Sequence, residues 1–168
     1  TIANQTRLPR NLVEAYQVAY LSAFPEISLY HEHTIRELQT NKRLTTLLHR
    51  VRHFLGRTFD EATWREAIAY LPQSLVCDVL NLGLLSLWSA DIVHILAKVH
   101  DAAKMQYPES QENTILPIVL SHLAVPLSAT SPSGTTRTII IPNSVEVGWN
   151  WGKYSESNPD GLRKWTAG

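Results

Sequence analysis

The chain has 168 residues, of which 44% are hydrophobic and 18% are charged, and its formal net charge at pH 7 is zero. That composition is typical of a folded globular protein and excludes a disordered chain. A neutral chain has no overall field that attracts nucleic acid, so any such contact must come from a local patch. Cys77 is the only cysteine, which excludes an intrachain disulfide and favours a reducing compartment such as the cytoplasm. No uninterrupted apolar run approaches the roughly 20 residues of a membrane span, so we expect no membrane partner.

The first half of the chain has the periodicity of helices. Residues 11–40 carry apolar side chains at helical spacing, and the pattern is interrupted at Phe24 and Pro25, which predicts two helices meeting there. Residues 41–60 have no clear period and end in turn-forming residues. Residues 61–89 are rich in Ala, Leu and Val and predict a largely buried helix, bent near Pro72.

The second half is mixed. From Ile92 onward, β-branched residues, a turn and the segment AAKMQYP predict a two-stranded hairpin with His100 and Asp101 between the strands. Residues 109–124 predict a helix, residues 128–136 a loop, and residues 137–154 one or two strands before a polar tail. A helical first half followed by a mixed second half predicts an α+β fold.

Histidines raise the possibility of a metal site. His49 and His53 are four residues apart, a spacing that can hold a metal on one helix face, and His31 and His33 flank Glu32. Zinc requires a third or fourth ligand, and Cys77 offers no partner motif. We therefore favour solvated surface histidines over a zinc site.

A local basic patch lies between residues 36 and 57. Six basic residues and one acidic residue occur there: Arg36, Lys42, Arg43, Arg50, Arg52 and Arg57, with Glu37. Such a patch can neutralise phosphates or can be a solvated basic face, and composition does not decide between the two. Arg65 and Gln73, eight residues apart in the long helix, are suitable donors for base edges and phosphates, although capping or core hydrogen bonding would explain them equally well.

Asp101 is the strongest single candidate for chemistry. A carboxylate at a hairpin tip can hold Mg²⁺, which prefers oxygen ligands and keeps positions open for phosphate. Taken alone, an Asp favoured by turn geometry is the simpler explanation.

Five segments, taken in order, resemble the C-terminal part of the polymerase domain of family A DNA polymerases, the DNA polymerase I family. The five segments cover nearly all of the chain, and their sequences are most similar to those of phage members of the family. The segments are EAYQVAYLSAFPEI, TLLHRVRHF, WREAIAYLPQSLVCDVLN, KVHDAAKMQYP, which is similar to the His-Asp-Glu hairpin called motif C, and VEVGWNWGK, which resembles the closing strand.

The resemblance implies a right-hand polymerase fold, with a fingers-like helical segment over residues 1–60 and a palm segment over residues 61–168. The palm would hold an antiparallel sheet with the motif C hairpin. Asp101 would be one of two aspartates that bind the catalytic Mg²⁺ ions, and His100 would lie beside the primer terminus. Arg65 and Gln73 would contact the minor groove of the primer-template, with Arg50 and Arg52 as further DNA contacts.

The sequence departs from the family in two respects. Ala102 stands where the family has Glu after the Asp. The motif A aspartate, the motif B helix that grips the incoming dNTP, and the thumb have no counterpart in these residues. We therefore expect a DNA polymerase portion that is catalytically incomplete alone and requires an upstream polypeptide, in the cytoplasm of a bacterial host if it is phage-encoded. The alternatives are a non-catalytic DNA-binding or replisome-assembly module, a zinc-dependent hydrolase, and an RNA polymerase.

Overall fold

The structure is a computed structural model that describes residues 7–131 and 134–166. The helices are α1 (Arg10–Ala23), α2 (Pro25–Asn41), α3 (Glu61–Ala90) and α4 (Glu112–Leu123), and a short 3₁₀ turn (Glu109–Gln111) precedes α4. The strands are β1 (Arg43–Thr45), β2 (Val51–His53), β3 (His94–Val99), β4 (Ala102–Gln106), β5 (Pro126–Thr130), β6 (Thr136–Ile140), β7 (Glu146–Val147) and β8 (Arg163–Lys164). The predicted α+β class is confirmed.

The two predicted N-terminal helices meet at Phe24 and Pro25, as the sequence indicates. Pro25 occupies the first turn of α2, where its missing N–H leaves no hydrogen bond unmade. Lys42 ends α2 in the left-handed conformation, with φ 51°, and its backbone N–H donates to the carbonyl of Leu38 at 2.9 Å. This left-handed cap turns the chain directly into β1.

The contacts divide the chain into two units, Thr1–Gln73 and Ser74–Gly168. In the first unit, buried side chains from α2, β1, the segment after β2 and α3 form one core: Leu38, Leu44, Phe54 and Ala67. Trp64 Nε1 donates to the carbonyl of Thr58 at 2.8 Å, and Tyr30 Oη donates to the carbonyl of Ile68 at 2.6 Å. Both hydrogen bonds satisfy half-buried polar groups at the edge of this core.

The second unit has its own core beneath the central hairpin. Its buried members come from the end of α3, the segment before β3, and α4: Leu87, Val93, Ile115 and Val119. Ile95 of β3 and Met105 of β4 pack against them. The hairpin that carries His100 and Asp101 is therefore seated on a hydrophobic base.

One prediction about local structure requires correction, and two segments without a predicted element contain strands. Residues 43–53 form the hairpin β1–β2, with Arg43 opposite His53, although no strand period is visible there. Residues 128–130 belong to β5 rather than to a loop, whereas 132 and 133 lie outside the described residues. The polar tail is also ordered in part, because Arg163 pairs with Val147 in the β7–β8 ladder. Each of these strands is short, so backbone pairing rather than side-chain alternation defines it.

The strands of the described residues form four separate two-stranded antiparallel ladders, β1–β2, β3–β4, β5–β6 and β7–β8. The antiparallel pairing fits the predicted α+β class, and the arrangement of a right-hand palm sheet stays a prediction. Every ladder joins strands that follow one another along the chain, which is the pairing with the lowest loop-closure cost.

Helix α3 is less buried than its composition predicts. Ala67 and Leu87 are fully buried, but Leu82, Leu85 and Trp88 are 43%, 56% and 71% exposed. By length and composition alone α3 could cross a membrane, and 28% of its most apolar window is buried. A helix covered by other protein has the same composition, because both environments remove apolar side chains from water.

Helices α3 and α4 approach each other closely at Gly83. A Cβ atom built there would lie 2.9 Å from Leu123 Cδ2 and 3.1 Å from the carbonyl oxygen of His122. Glycine is therefore required by packing, despite its low helix propensity.

We expect Gly83→Ala to lower the free energy of unfolding by about 1 kcal/mol. Overpacking costs about 1–3 kcal/mol, and the higher helix propensity of alanine returns about 1 kcal/mol. Denaturant unfolding followed by tryptophan fluorescence measures the change. Gly56→Ala is the matched control, because nothing lies within 4 Å of a Cβ at that position; equal stability of the two variants would contradict the packing argument.

Candidate active site

His100 and Asp101 form the two-residue turn of the hairpin β3–β4. Val99 pairs directly with Ala102, so only these two residues separate the strands. Both side chains are exposed. The predicted hairpin is confirmed, and its tip presents an imidazole and a carboxylate to the exterior.

The turn holds His100 in an uncommon backbone conformation. Its φ of 54° lies in the left-handed region, which non-glycine residues seldom adopt but which histidine, asparagine and aspartate tolerate best. Glycine at this position would relieve the conformation without cost. Lys42, His49 and Asp91 also have a positive φ, so this conformation is a feature of the tight turns in this chain.

Both strands of the hairpin are tied to neighbouring elements in the same unit. Lys98 Nζ of β3 donates to Asn81 Oδ1 of α3 at 2.8 Å and lies 2.8 Å from Cys77 Sγ. Lys104 Nζ of β4 lies 3.4 Å from the centroid of the Trp151 ring, a cation–π contact. These contacts fix the direction in which the tip projects.

Tyr107, the residue directly after β4, has a hydroxyl with a raised pKa. Burial, followed by the nearby Glu112 carboxylate, raises the pKa of Tyr107 to about 12. Its hydroxyl donates to Glu112 Oε2 at 3.2 Å. This hydrogen bond links the end of β4 to the first turn of α4, below the hairpin.

Asp101 belongs to no metal-binding group in the part of the chain that the structure describes. Within residues 7–131 and 134–166, no group of three or more His, Cys, Asp and Glu side chains could hold a metal ion. His49 and His53 do not share a helix face, as their four-residue spacing would allow. His49 lies in the β1–β2 turn with φ 62°, and His53 lies in β2. One carboxylate does not hold a divalent cation by itself, so a metal at Asp101 requires ligands from elsewhere.

Arg52 is held in place by neighbours in the first unit. Its guanidinium forms a salt bridge with the Glu66 carboxylate and lies 4.8 Å from the Phe54 ring centroid and 5.3 Å from that of Tyr70. A planar guanidinium stacks on aromatic faces and still presents donors at its edge. The family resemblance predicts Arg52 as a DNA contact, and no spacing rule reveals its packing against Phe54 and Tyr70.

The side chains of Arg65 and Gln73, which are also predicted to contact DNA, have fewer contacts with neighbouring residues than Arg52 has. Arg65 Nη1 lies 3.3 Å from Glu61 Oε1, and both side chains are at least 70% exposed. Gln73 is exposed on the same helix. The backbone N–H of Arg50 donates to Thr46 Oγ1 at 3.1 Å. Their contacts with DNA stay predictions.

Two recesses of about 220 and 430 Å³ occur in the described structure, and neither includes His100 or Asp101 among its lining residues. The smaller recess lies beside His33, Arg43 and Leu71, and the larger one beside Leu82, His122 and Pro126. His100 and Asp101 are exposed at the hairpin tip and line neither of these two recesses.

Comparison with solved structures identifies the fold. The chain is similar to the polymerase domain of Pol1 from M. smegmatis, solved in complex with DNA primer-template and dNTP. The TM-score is 0.63 at 20% sequence identity, covering 74% of this chain and 24% of that chain. No family model matches, and no curated protein matches. The chain thus has a polymerase-like α+β fold and corresponds to about a quarter of the length of that polymerase domain.

We expect Arg52→Ala to destabilise the first unit by about 1 kcal/mol, since an exposed salt bridge contributes about 0–1 kcal/mol and a cation–π contact about 0.5–1 kcal/mol. Arg52→Lys should recover only part of this loss, because an ammonium group cannot stack as a plane. Denaturant unfolding gives both values, and a double-mutant cycle with Glu66→Ala isolates the salt bridge. Arg65→Ala is the control and should change stability by a few tenths of a kcal/mol; a larger loss there than at Arg52 would overturn this assignment.

Proposed function

We propose that this chain is a C-terminal portion of a template-dependent DNA polymerase of the family A type, a nucleotidyltransferase that needs an upstream polypeptide for activity. One observation carries the proposal. The chain has an exposed two-residue His-Asp turn within a fold similar to that of a polymerase domain. Its sequence motifs also resemble those of family A polymerases and occur in the same order.

Asp101 contributes one carboxylate to a Mg²⁺ site in this proposal. Its position at an open hairpin tip, outside any group of three or more potential metal ligands in the described residues, fits a ligand set completed by an aspartate of another polypeptide. Mg²⁺, when bound, lowers the pKa of the primer 3′-hydroxyl and stabilises charge on the transferring phosphoryl group. His100 lies beside Asp101 and would contact the primer terminus.

The primer-template would be held by donors of the first unit. Arg65 and Gln73 would reach the minor groove, where base-pair acceptors differ little between sequences. Such contacts test pair geometry without reading sequence, as a polymerase requires. Arg52, with its guanidinium plane fixed by Phe54 and Tyr70, is preorganised for a phosphate, and Arg50 follows in the same hairpin.

The need for a second polypeptide is supported by uncovered apolar surface. None of the residues of α1 is buried, and Tyr16, Val18 and Tyr20 are 73%, 67% and 54% exposed. Large apolar side chains exposed together mark protein interaction sites. The partner in this proposal carries the thumb, motif A and motif B, and supplies the second aspartate and the dNTP clamp.

A second candidate function is a non-catalytic DNA-binding or replisome-assembly module. Ala102, which stands where the family has Glu, favours it. Both functions use the same DNA-facing residues, and only the first uses Asp101 for chemistry.

We expect Asp101→Asn to reduce primer extension by roughly a hundredfold or more, because metal-borne charge stabilisation of several kcal/mol corresponds to a loss of that size. The assay mixes the chain with its upstream polypeptide, primer-template, dNTP and Mg²⁺. Duplex binding, measured by anisotropy, should stay near the wild-type value. Chelation of Mg²⁺ should stop extension by the wild-type complex.

Glu109→Gln is the matched control, since it makes the same change of charge at another exposed carboxylate of this unit. It should leave extension unchanged. Extension that survives Asp101→Asn would exclude the catalytic role of Asp101. A wild-type mixture that binds duplex but never extends a primer would favour the non-catalytic module.

We also expect Tyr16→Asp to weaken association with the upstream polypeptide by on the order of tenfold or more, since burial of one large apolar side chain contributes about 1.5–3 kcal/mol. Tyr16→Phe should retain most of the affinity. Arg10→Ala serves as the control on the same helix, because it removes only the exposed 2.7 Å salt bridge with Glu14. Co-purification and titration calorimetry measure the association, and equal affinity of all three variants would show that α1 lies outside the interface.

A further inference from the structure

Residues 148–161, here called the aromatic loop, are held by a dense set of main-chain hydrogen bonds. The strands β7 and β8 pair on either side of the loop and close it. Inside, the N–H of Trp149 donates to the carbonyl of Asp160 at 2.8 Å, and the N–H of Leu162 donates to the carbonyl of Gly152 at 2.7 Å. The loop is thus a compact surface loop with close ends, whose own chain fills its interior.

Two asparagine side chains cross-link the loop. Asn150 Nδ2 donates to Asn158 Oδ1 at 2.8 Å, and Asn158 Nδ2 returns a hydrogen bond to Asn150 Oδ1 at 3.0 Å. A Cβ at Gly148 would lie 2.7 Å from the carbonyl group of Gly161, and a Cβ at Gly152 would lie 2.7 Å from Asn158 Nδ2. Glycine is needed at these positions to let the chain segments approach, so the sequence specifies one loop shape.

This fixed loop exposes large aromatic side chains. Trp149, Trp151 and Tyr154 are 76%, 62% and 56% exposed. Their side chains add nothing to either hydrophobic core. Exposed aromatic rings on a rigid loop lose little conformational entropy when a ligand covers them, which is the arrangement expected of a binding surface.

Positive charges accompany the rings. Lys104 Nζ lies over the Trp151 ring at 3.4 Å, Lys153 lies within the loop, and Arg163 and Lys164 are exposed on β8, which closes it. The acidic residues of the same segment are Glu146, Glu156 and Asp160. Charges of both signs leave little net attraction, so stacking on the rings would supply most of the binding energy and the lysines would contact phosphates.

We propose that the aromatic loop is a stacking platform for single-stranded nucleic acid. Aromatic side chains interleaved with Lys and Arg are the arrangement that binds unpaired bases without sequence preference, because every base has a π-face. Trp149 is the principal stacking residue, since Lys104 already covers one side of Trp151. The activity does not require Asp101 or an upstream polypeptide, so it stands or falls separately from the polymerase proposal.

The test is binding of a fluorescently labelled oligothymidylate to the full chain, followed by anisotropy at low salt. We expect Trp149→Ala to weaken binding by roughly fivefold to a hundredfold, the range that corresponds to stacking of one base. Trp149→Phe should retain most of the affinity, because a phenyl ring still stacks. Trp88→Ala is the matched control, because Trp88 is 71% exposed, close to the 76% of Trp149, but lies on α3.

A second measurement uses only the wild-type chain, so its result does not depend on whether a variant folds. Photocrosslinking of an iodouracil-substituted oligonucleotide to the wild-type chain, with peptide mapping, should place the crosslink on the aromatic loop. Absence of oligonucleotide binding by the wild-type chain would overturn the proposal. It would equally be overturned by a crosslink confined to other segments, or by Trp149→Ala binding as tightly as Trp88→Ala.

Discussion

One helix supplies side chains to both hydrophobic cores, and the rest of the structure depends on it. Ala67 of α3 lies in the first core and Leu87 of the same helix lies in the second. The backbone hydrogen bonds within a helix are local, so α3 can hold apolar side chains for both units without further connections. Asn81 on α3 also accepts the hydrogen bond of Lys98 and so helps to fix the hairpin.

The same helix explains why apolar surface is left open. Its residues are apolar on nearly every face, yet the described structure covers only some of them, and Leu85 and Trp88 are more than half exposed. Helix α1 has no buried residue. Burial of apolar surface is the main favourable term in folding and association, so uncovered helices of this kind are consistent with a chain that forms part of a larger assembly.

The hairpin tip combines rigidity with openness. Its strands rest on a core through Ile95 and Met105 and are tied at Lys98 and Lys104, while His100 and Asp101 stay exposed. The contacts of Lys98 and Lys104 position the tip and leave the hydrogen-bonding groups of His100 and Asp101 available. The aromatic loop is joined to this hairpin by the contact between Lys104 and Trp151, so the two candidate sites share one support.

The sequence by itself determined the features that depend on neighbouring residues. The break at Pro25, the long helix over residues 61–89, the two-residue turn at His100 and Asp101 and the helix that ends near 124 follow from proline geometry and local periodicity, and each is present in the structure. Tertiary structure decided the rest. The ladders β1–β2 and β7–β8 are too short to have a period, the packing of Arg52 against Phe54 and Tyr70 joins α3 to the preceding hairpin, and the exposure of the aromatic loop depends on what covers it. These features arise from contacts between segments, and a linear pattern of residues does not encode which segments meet.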